Sequence, residues 1–354
     1  MRFSIDIDSG DTISGWLSPD NPSLSPSVIV AVPGRDEVEI PGSVMRRDVA
    51  DAGYHLTGVC GFLITADRVP DLPTLMDLEI LEADTRLPIY RRFAPDRDLL
   101  KRLFLFDCSV LPQRRLLDEL GRYFSLSYQH AERNGAETTI ACIVNPGAQS
   151  VVMSGRSHVV RYDDLLRERG FLRCALLREP CEELAERLYF LNYLAQEADR
   201  EALDHYAHGL RSLIDFARDL PFRDPKGLTA AFRGATETQR RELMSPMTRV
   251  FGCEVGEPPR RANVTQALQK LAGFDVIGVR ECFPLFRDLL AGALGKNVLG
   301  DEEPVRYPAV SALAQTLSRI GVVNDFLAED LALYAYVTEA IEDGLAPAEN
   351  ALSA

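Results

Sequence analysis

Phe171-Leu-Arg-Cys-Ala-Leu-Leu-Arg-Glu-Pro-Cys-Glu-Glu-Leu-Ala-Glu-Arg187 decides how the chain is read. Phe171 to Leu177 is a short apolar run of the length a buried strand needs. Pro180 ends it, because proline offers no donor to a ladder but has the φ of a first helical turn. Leu184, Leu188 and Leu191 then recur at helical spacing. Glu182 and Glu183 fall in that helix's first turn, where the dipole favours acids. The reading puts Arg178 at the carboxyl end of a strand, facing a helix amino terminus. In open α/β sheets that edge is where ligands bind.

Working outward, residues 101–342 alternate strand and helix patterns. Leu103–Phe106, Thr138–Val144, Phe171–Leu177 and Phe274–Gly278 read as buried strands. Helical spacing runs through Leu116–Phe124, Arg156–Arg169, Leu285–Leu290 and Ala328–Ile341. The expected fold is α/β, with a parallel sheet and covering helices. Residues 1–95 differ: short alternating runs at Phe3–Ile7, Thr12–Leu17, Val28–Val32, Val38–Ile40, His55–Leu63, Leu78–Leu81 and Ile89–Arg92 are parted by Gly, Pro, Asn and Asp. They predict a small β-sandwich domain. Asp84–Leu100 reads as a linker, and 343–354 as a frayed tail.

Composition narrows the function. With 46% hydrophobic and 26% charged residues the chain is a globular protein. A net charge of −14 argues against nucleic-acid and anionic-membrane binding, so an anion would need a local Arg cluster. Seven scattered cysteines without a CxxC read as buried thiols in a reducing compartment. No apolar run approaches spanning length and the start lacks a signal-peptide core, so the expectation is a cytoplasmic protein that is not membrane-spanning. There is no GxSxG, GxxxxGK[ST], GxGxxG or HExxH, which leaves hydrolase, P-loop NTPase and dehydrogenase readings without local support. His205 and His208 have a spacing that suits a shared metal, but no third ligand is evident and no metal is expected.

Several stretches together resemble the PAPS-dependent carbohydrate sulfotransferases of bacteria: Leu177-Arg-Glu-Pro-Cys-Glu182, Met247-Thr-Arg249, Ala267–Gly278 with Glu281, and Asp330-Leu-Ala-Leu-Tyr334, in the family's order. Gly15-Trp16, Arg46–Gly53 and Gly58–Phe62 resemble an accessory β-sandwich module that precedes such enzymes and glycosyltransferases. The resemblance implies a P-loop-like fold and sulfuryl transfer from 3'-phosphoadenosine 5'-phosphosulfate (PAPS) to a carbohydrate hydroxyl in polysaccharide or glycoconjugate synthesis, beside a membrane-associated machinery. It gives Arg178 to the donor's 3'-phosphate, as a planar bidentate fork would suit. His158, in Ser154-Gly-Arg-Ser-His158, would be the general base. Arg114 or Arg115 would hold the donor beside Arg178, Arg187 could take over at the 3'-phosphate, and Met244–Gly252 places Thr248 and the further donor-site candidate Arg249 in a loop before an apolar pair.

The chain also departs from the family. Asp107-Cys-Ser-Val-Leu-Pro-Gln-Arg-Arg115 has neither Gly nor Lys where the family's phosphate loop lies. Glu186 stands where a phosphate-binding Ser is expected, and Glu183 where an Arg is. Two other readings therefore stay open: a catalytically inactive sulfotransferase-like scaffold, and a carbohydrate-binding partner of a glycosyltransferase.

Overall fold

The computed structural model describes residues 1–197, 203, 206 and 208–352, with side chains as far as 344. It is a mixed α/β structure. The first eight strands are β1 (Arg2–Asp8), β2 (Thr12–Ser18), β3 (Ser27–Ala31), β4 (Val38–Pro41), β5 (Val44–Met45), β6 (Val59–Thr65), β7 (Glu79–Glu82) and β8 (Pro88–Arg91), with the short helix α1 (Arg47–Asp51) after β5. They form two antiparallel sheets, ordered β1-β2-β6-β5 and β4-β3-β7-β8. Period-2 patterning places alternate residues inside: Ile13 opposite Ile64 in one sheet, Val30 opposite Ile80 in the other, all at most 1% exposed.

The next elements are β9 (Arg102–Asp107), α2 (Arg114–Gly121), β10 (Leu126–Tyr128), α3 (Ala136–Val144), β11 (Val151–Gly155), α4 (Val159–Glu168), β12 (Leu172–Leu177), α5 (Pro180–Glu197) and, later, β13 (Val276–Val279). These strands make a five-stranded parallel sheet ordered β10-β11-β9-β12-β13. The further helices are α6 (Arg211–Arg218), α7 (Pro225–Gly234), α8 (Glu237–Leu243), α9 (Pro246–Gly252), α10 (Arg261–Leu271), α11 (Phe283–Leu294), α12 (Pro308–Leu317), α13 (Gly321–Phe326) and α14 (Ala328–Leu352). Leu184, Leu188 and Leu191 of α5 share a core with Leu213, Leu313 and Leu317. By contacts the chain divides into two compact units, one of Met1–Leu103, Asp118–Met153 and Leu165–Phe171, the other of Phe104–Leu117, Ser154–Asp164 and Leu172–Ala354. The backbone is helical through 343–352.

Three expectations are corrected. Thr138–Val144 belongs to helix α3, not to a strand; nearly every side chain in it is buried, which erases the periodicity that separates the two states. The neighbouring strands are β10 and β11. Thr248 and Arg249 lie in helix α9, not in a loop. There Gly252 lets α9 and α10 touch, since a Cβ on it would stand 2.1 Å from the Asn263 carbonyl oxygen. Finally, pairing in β6 starts at Val59 rather than His55. The His55 ring serves the backbone instead: Nδ1 accepts from the Gly58 amide at 3.1 Å, which leaves the proton on Nε2 for the Leu24 carbonyl at 3.0 Å.

Candidate functional site

Three strand ends of the second unit carry the charged groups. Asp107 closes β9, Arg178 follows β12 and Arg280 follows β13. The parallel register pairs Leu177 with Val279, so the two arginines leave adjacent strands at one level. Helix α5 presents Glu182 and Glu186 one turn apart, on one face.

Arg178 is buried and meets both acids. Its Nη1 stands 2.6 Å from Oε2 of Glu186, a close ion pair outside aligned hydrogen-bond geometry. Its Nη2 donates to Oε2 of Glu182 at 3.2 Å. Burial works against the Arg178 charge, but the Glu186 and other carboxylates outweigh it and the value is raised. Glu186, 3% exposed, is served further on Oε1, by the Ser109 hydroxyl at 3.1 Å and Arg280 Nη1 at 3.2 Å. Glu186 thus occupies the centre of the Arg178–Arg280 pair as an anionic ligand would. The remaining edge of Arg280 is different: Nε and Nη2 are buried without a hydrogen-bond partner, and Asp107 Oδ2 stays 4.0 Å from Nη2. Arg280 escaped the sequence reading. Its signal was there, because Val279-Arg-Glu281 repeats the strand-end pattern of Leu177-Arg-Glu179.

A second neighbourhood holds three more of the expected residues. Arg187 is turned to Glu183, with Nη2 2.8 Å from Oε1, and both are buried. Arg249 donates to the Arg241 and Met244 carbonyls and lies 3.6 Å from Glu242. Burial pulls its charge down, and it feels Arg187 and Asp330. His158 faces the Cys253 carbonyl with Nδ1 at 3.3 Å. A carbonyl only accepts, so in this contact Nδ1 carries the proton and, in the neutral ring, Nε2 has the lone pair. Burial lowers the His158 value, with Arg249 and Arg161 adding to it, so the ring is neutral near pH 7. Asp330, read from the sequence only as a helix residue near Tyr334, proves to cap α9. It accepts from the Met247 amide at 2.9 Å and the Thr248 amide at 2.6 Å. Full burial raises its value to about 6 despite those donors.

Arg114 and Arg115 stay apart from both groups, exposed on the first turn of α2, with Arg114 lying 5.3 Å over the Tyr206 ring. The loop before them is braced by the Ser109 amide on Asp107 Oδ1 at 2.9 Å. No group able to hold a metal occurs among the described residues; His205 lies outside them. None of the helices among them is long and apolar enough to cross a membrane.

Beside Arg178 and Arg280 opens a cavity of about 390 Å³. Glu179, Glu182, Pro304–Tyr307 and helix α12 all contribute to its lining. Glu281, also in its lining, accepts from the Tyr334 hydroxyl at 2.6 Å and the Glu179 amide at 3.3 Å. No protein-family model matches the chain, and no curated protein is significantly similar to it.

Proposed function

We propose that the chain is a sulfotransferase-like protein that binds carbohydrate without transferring a sulfuryl group, as a cytoplasmic partner in polysaccharide or glycoconjugate synthesis. The observation that carries this reading is Glu186. It holds Arg178, Ser109 and Arg280 at once. A donor phosphate seeking Arg178 would meet this carboxylate and Glu182 first. At an effective dielectric near 20, two unit charges about 4 Å apart repel by about 4 kcal/mol, more than a single new hydrogen bond returns. Asp107 at the end of β9 adds an acid, and the loop that follows has no glycine to offer a phosphate its amides.

The test is a thermal shift with millimolar adenosine 3',5'-bisphosphate, which stabilises by mass action any fold that binds it. The expected result is no shift. A shift that Arg178→Ala abolishes would replace this reading with an active sulfotransferase. One observation favours that second reading: the His158 tautomer leaves Nε2 as a base for an acceptor hydroxyl. Turnover of labelled PAPS on an oligosaccharide, lost in His158→Ala, would establish it.

A further inference from the structure

We infer that the cavity beside Arg178 is a binding site for an uncharged sugar ring. The inference deepens the reading above, resting on its carbohydrate-binding part, and adds the place and charge class of the ligand.

The walls supply the argument. Helix α12 turns Val310, Leu313 and Leu317 into the core and sets Ser311 and Gln315 along the cavity, with Ser318 just past its end. These are polar positions on a largely apolar helix. Glu179 and Glu182 share the lining. Glu179 uses Oε2 to accept from the Glu182 amide at 2.7 Å, and Glu182 uses Oε2 for Arg178. A carboxylate has about four acceptor positions, so each of the two keeps capacity for a ligand hydroxyl. Arg306 donates Nη2 to the Arg280 carbonyl at 3.1 Å, and Tyr307 keeps 46% of its surface exposed at the rim. The lining therefore combines acceptors, donors and a ring edge. Hydroxyl groups, each donor and acceptor at once, match that pairing. The volume suits one or two sugar rings, since small-molecule sites run from about 300 to 1,000 Å³.

Charge decides the class. Arg178, Arg280 and Arg306 line the cavity against Glu179, Glu182 and Glu281. Glu186 already pairs with Arg178 and with Nη1 of Arg280. Burial, then the charges of Glu182 and Glu281, push the Glu179 value up, so negative charge is already costly on this wall. A phosphate, sulfate or uronate would add to it, and a neutral ring would not.

The experiment uses the full chain in ligand-observed NMR with galactose, glucose and mannose, each beside its uronic acid. At least one neutral hexose is expected to bind, more tightly than its uronate. Gln315→Leu and Ser311→Val, both outside the buried core, are expected to weaken it by about tenfold or more, with the melting temperature unchanged. The inference is overturned by silence from every neutral hexose at about 50 mM, by a preference for the uronate, or by binding that both variants leave intact. A failure of the inactive-transferase reading looks different: adenosine 3',5'-bisphosphate binds through Arg178 while hexose binding still depends on Gln315.

Discussion

Arg92 and Arg280 are both buried arginines, and they are treated in opposite ways. In the first unit Arg92 grips Asp8 with Nε at 2.8 Å and Nη2 at 2.9 Å, and donates to the carbonyls of Leu72, Leu75 and Gly10. That guanidinium is nearly saturated, and its job is to tie a turn, a strand and a loop together. In the second unit Arg280 gives Nη1 to Glu186 and leaves the Nε–Nη2 edge unserved. An unserved buried donor costs free energy that a saturated one does not. Full service suits a structural arginine, and the enclosed Nε–Nη2 edge of Arg280 lacks it.

That contrast is open to attack by substitution. Arg92→Leu removes both charge-assisted bonds to Asp8 and orphans three carbonyls. It is expected to cost about 4 kcal/mol in denaturant unfolding, and a loss under 1 kcal/mol would break the comparison on its structural side. Asp330→Asn tests the neighbouring buried acid through pH. The Asp330 value is raised in the fold to about 6, so its favourable contribution is complete below the unfolded value near 4 and is lost as pH rises through 6. Between pH 4 and 7 the native protein should therefore lose about 2 kcal/mol relative to the Asn variant. A constant difference across that range contradicts the assignment. Arg280→Leu should cost no more than about 1 kcal/mol, because Glu186 keeps Arg178 and Ser109 while two unserved donors disappear. A loss as large as that of Arg92→Leu would mean Arg280 is structural after all. Arg114→Ala, exposed over the Tyr206 ring, should change stability by less than about 0.5 kcal/mol.

Local features were legible in the chain. The strand to Leu177, the Pro180 helix start and the alternation of the first strands all follow from spacing and turn chemistry, which act within a few residues. Thr138–Val144 was misread because burial on all sides leaves no face to detect. The site itself is where sequence reasoning fell short. Arg178 and Glu186 were both noted, but their union with Arg280 and Ser109 depends on register across strands remote in sequence. Asp330 and Thr248 were singled out in separate stretches, and only packing of α14 on α9 shows that one caps the other. Arg187 was a candidate anion ligand until the fold set it against Glu183.

The central claim is that Glu186 fills the place of an anionic ligand. It is tested most directly by calorimetric titration of adenosine 3',5'-bisphosphate into the native protein, Glu186→Ala and Glu186→Gln. The account predicts no binding to the native protein, and binding to at least one variant, where Arg178 and Arg280 are released. Binding to the native protein as tight as to the variants, or none to either folded variant, would contradict it.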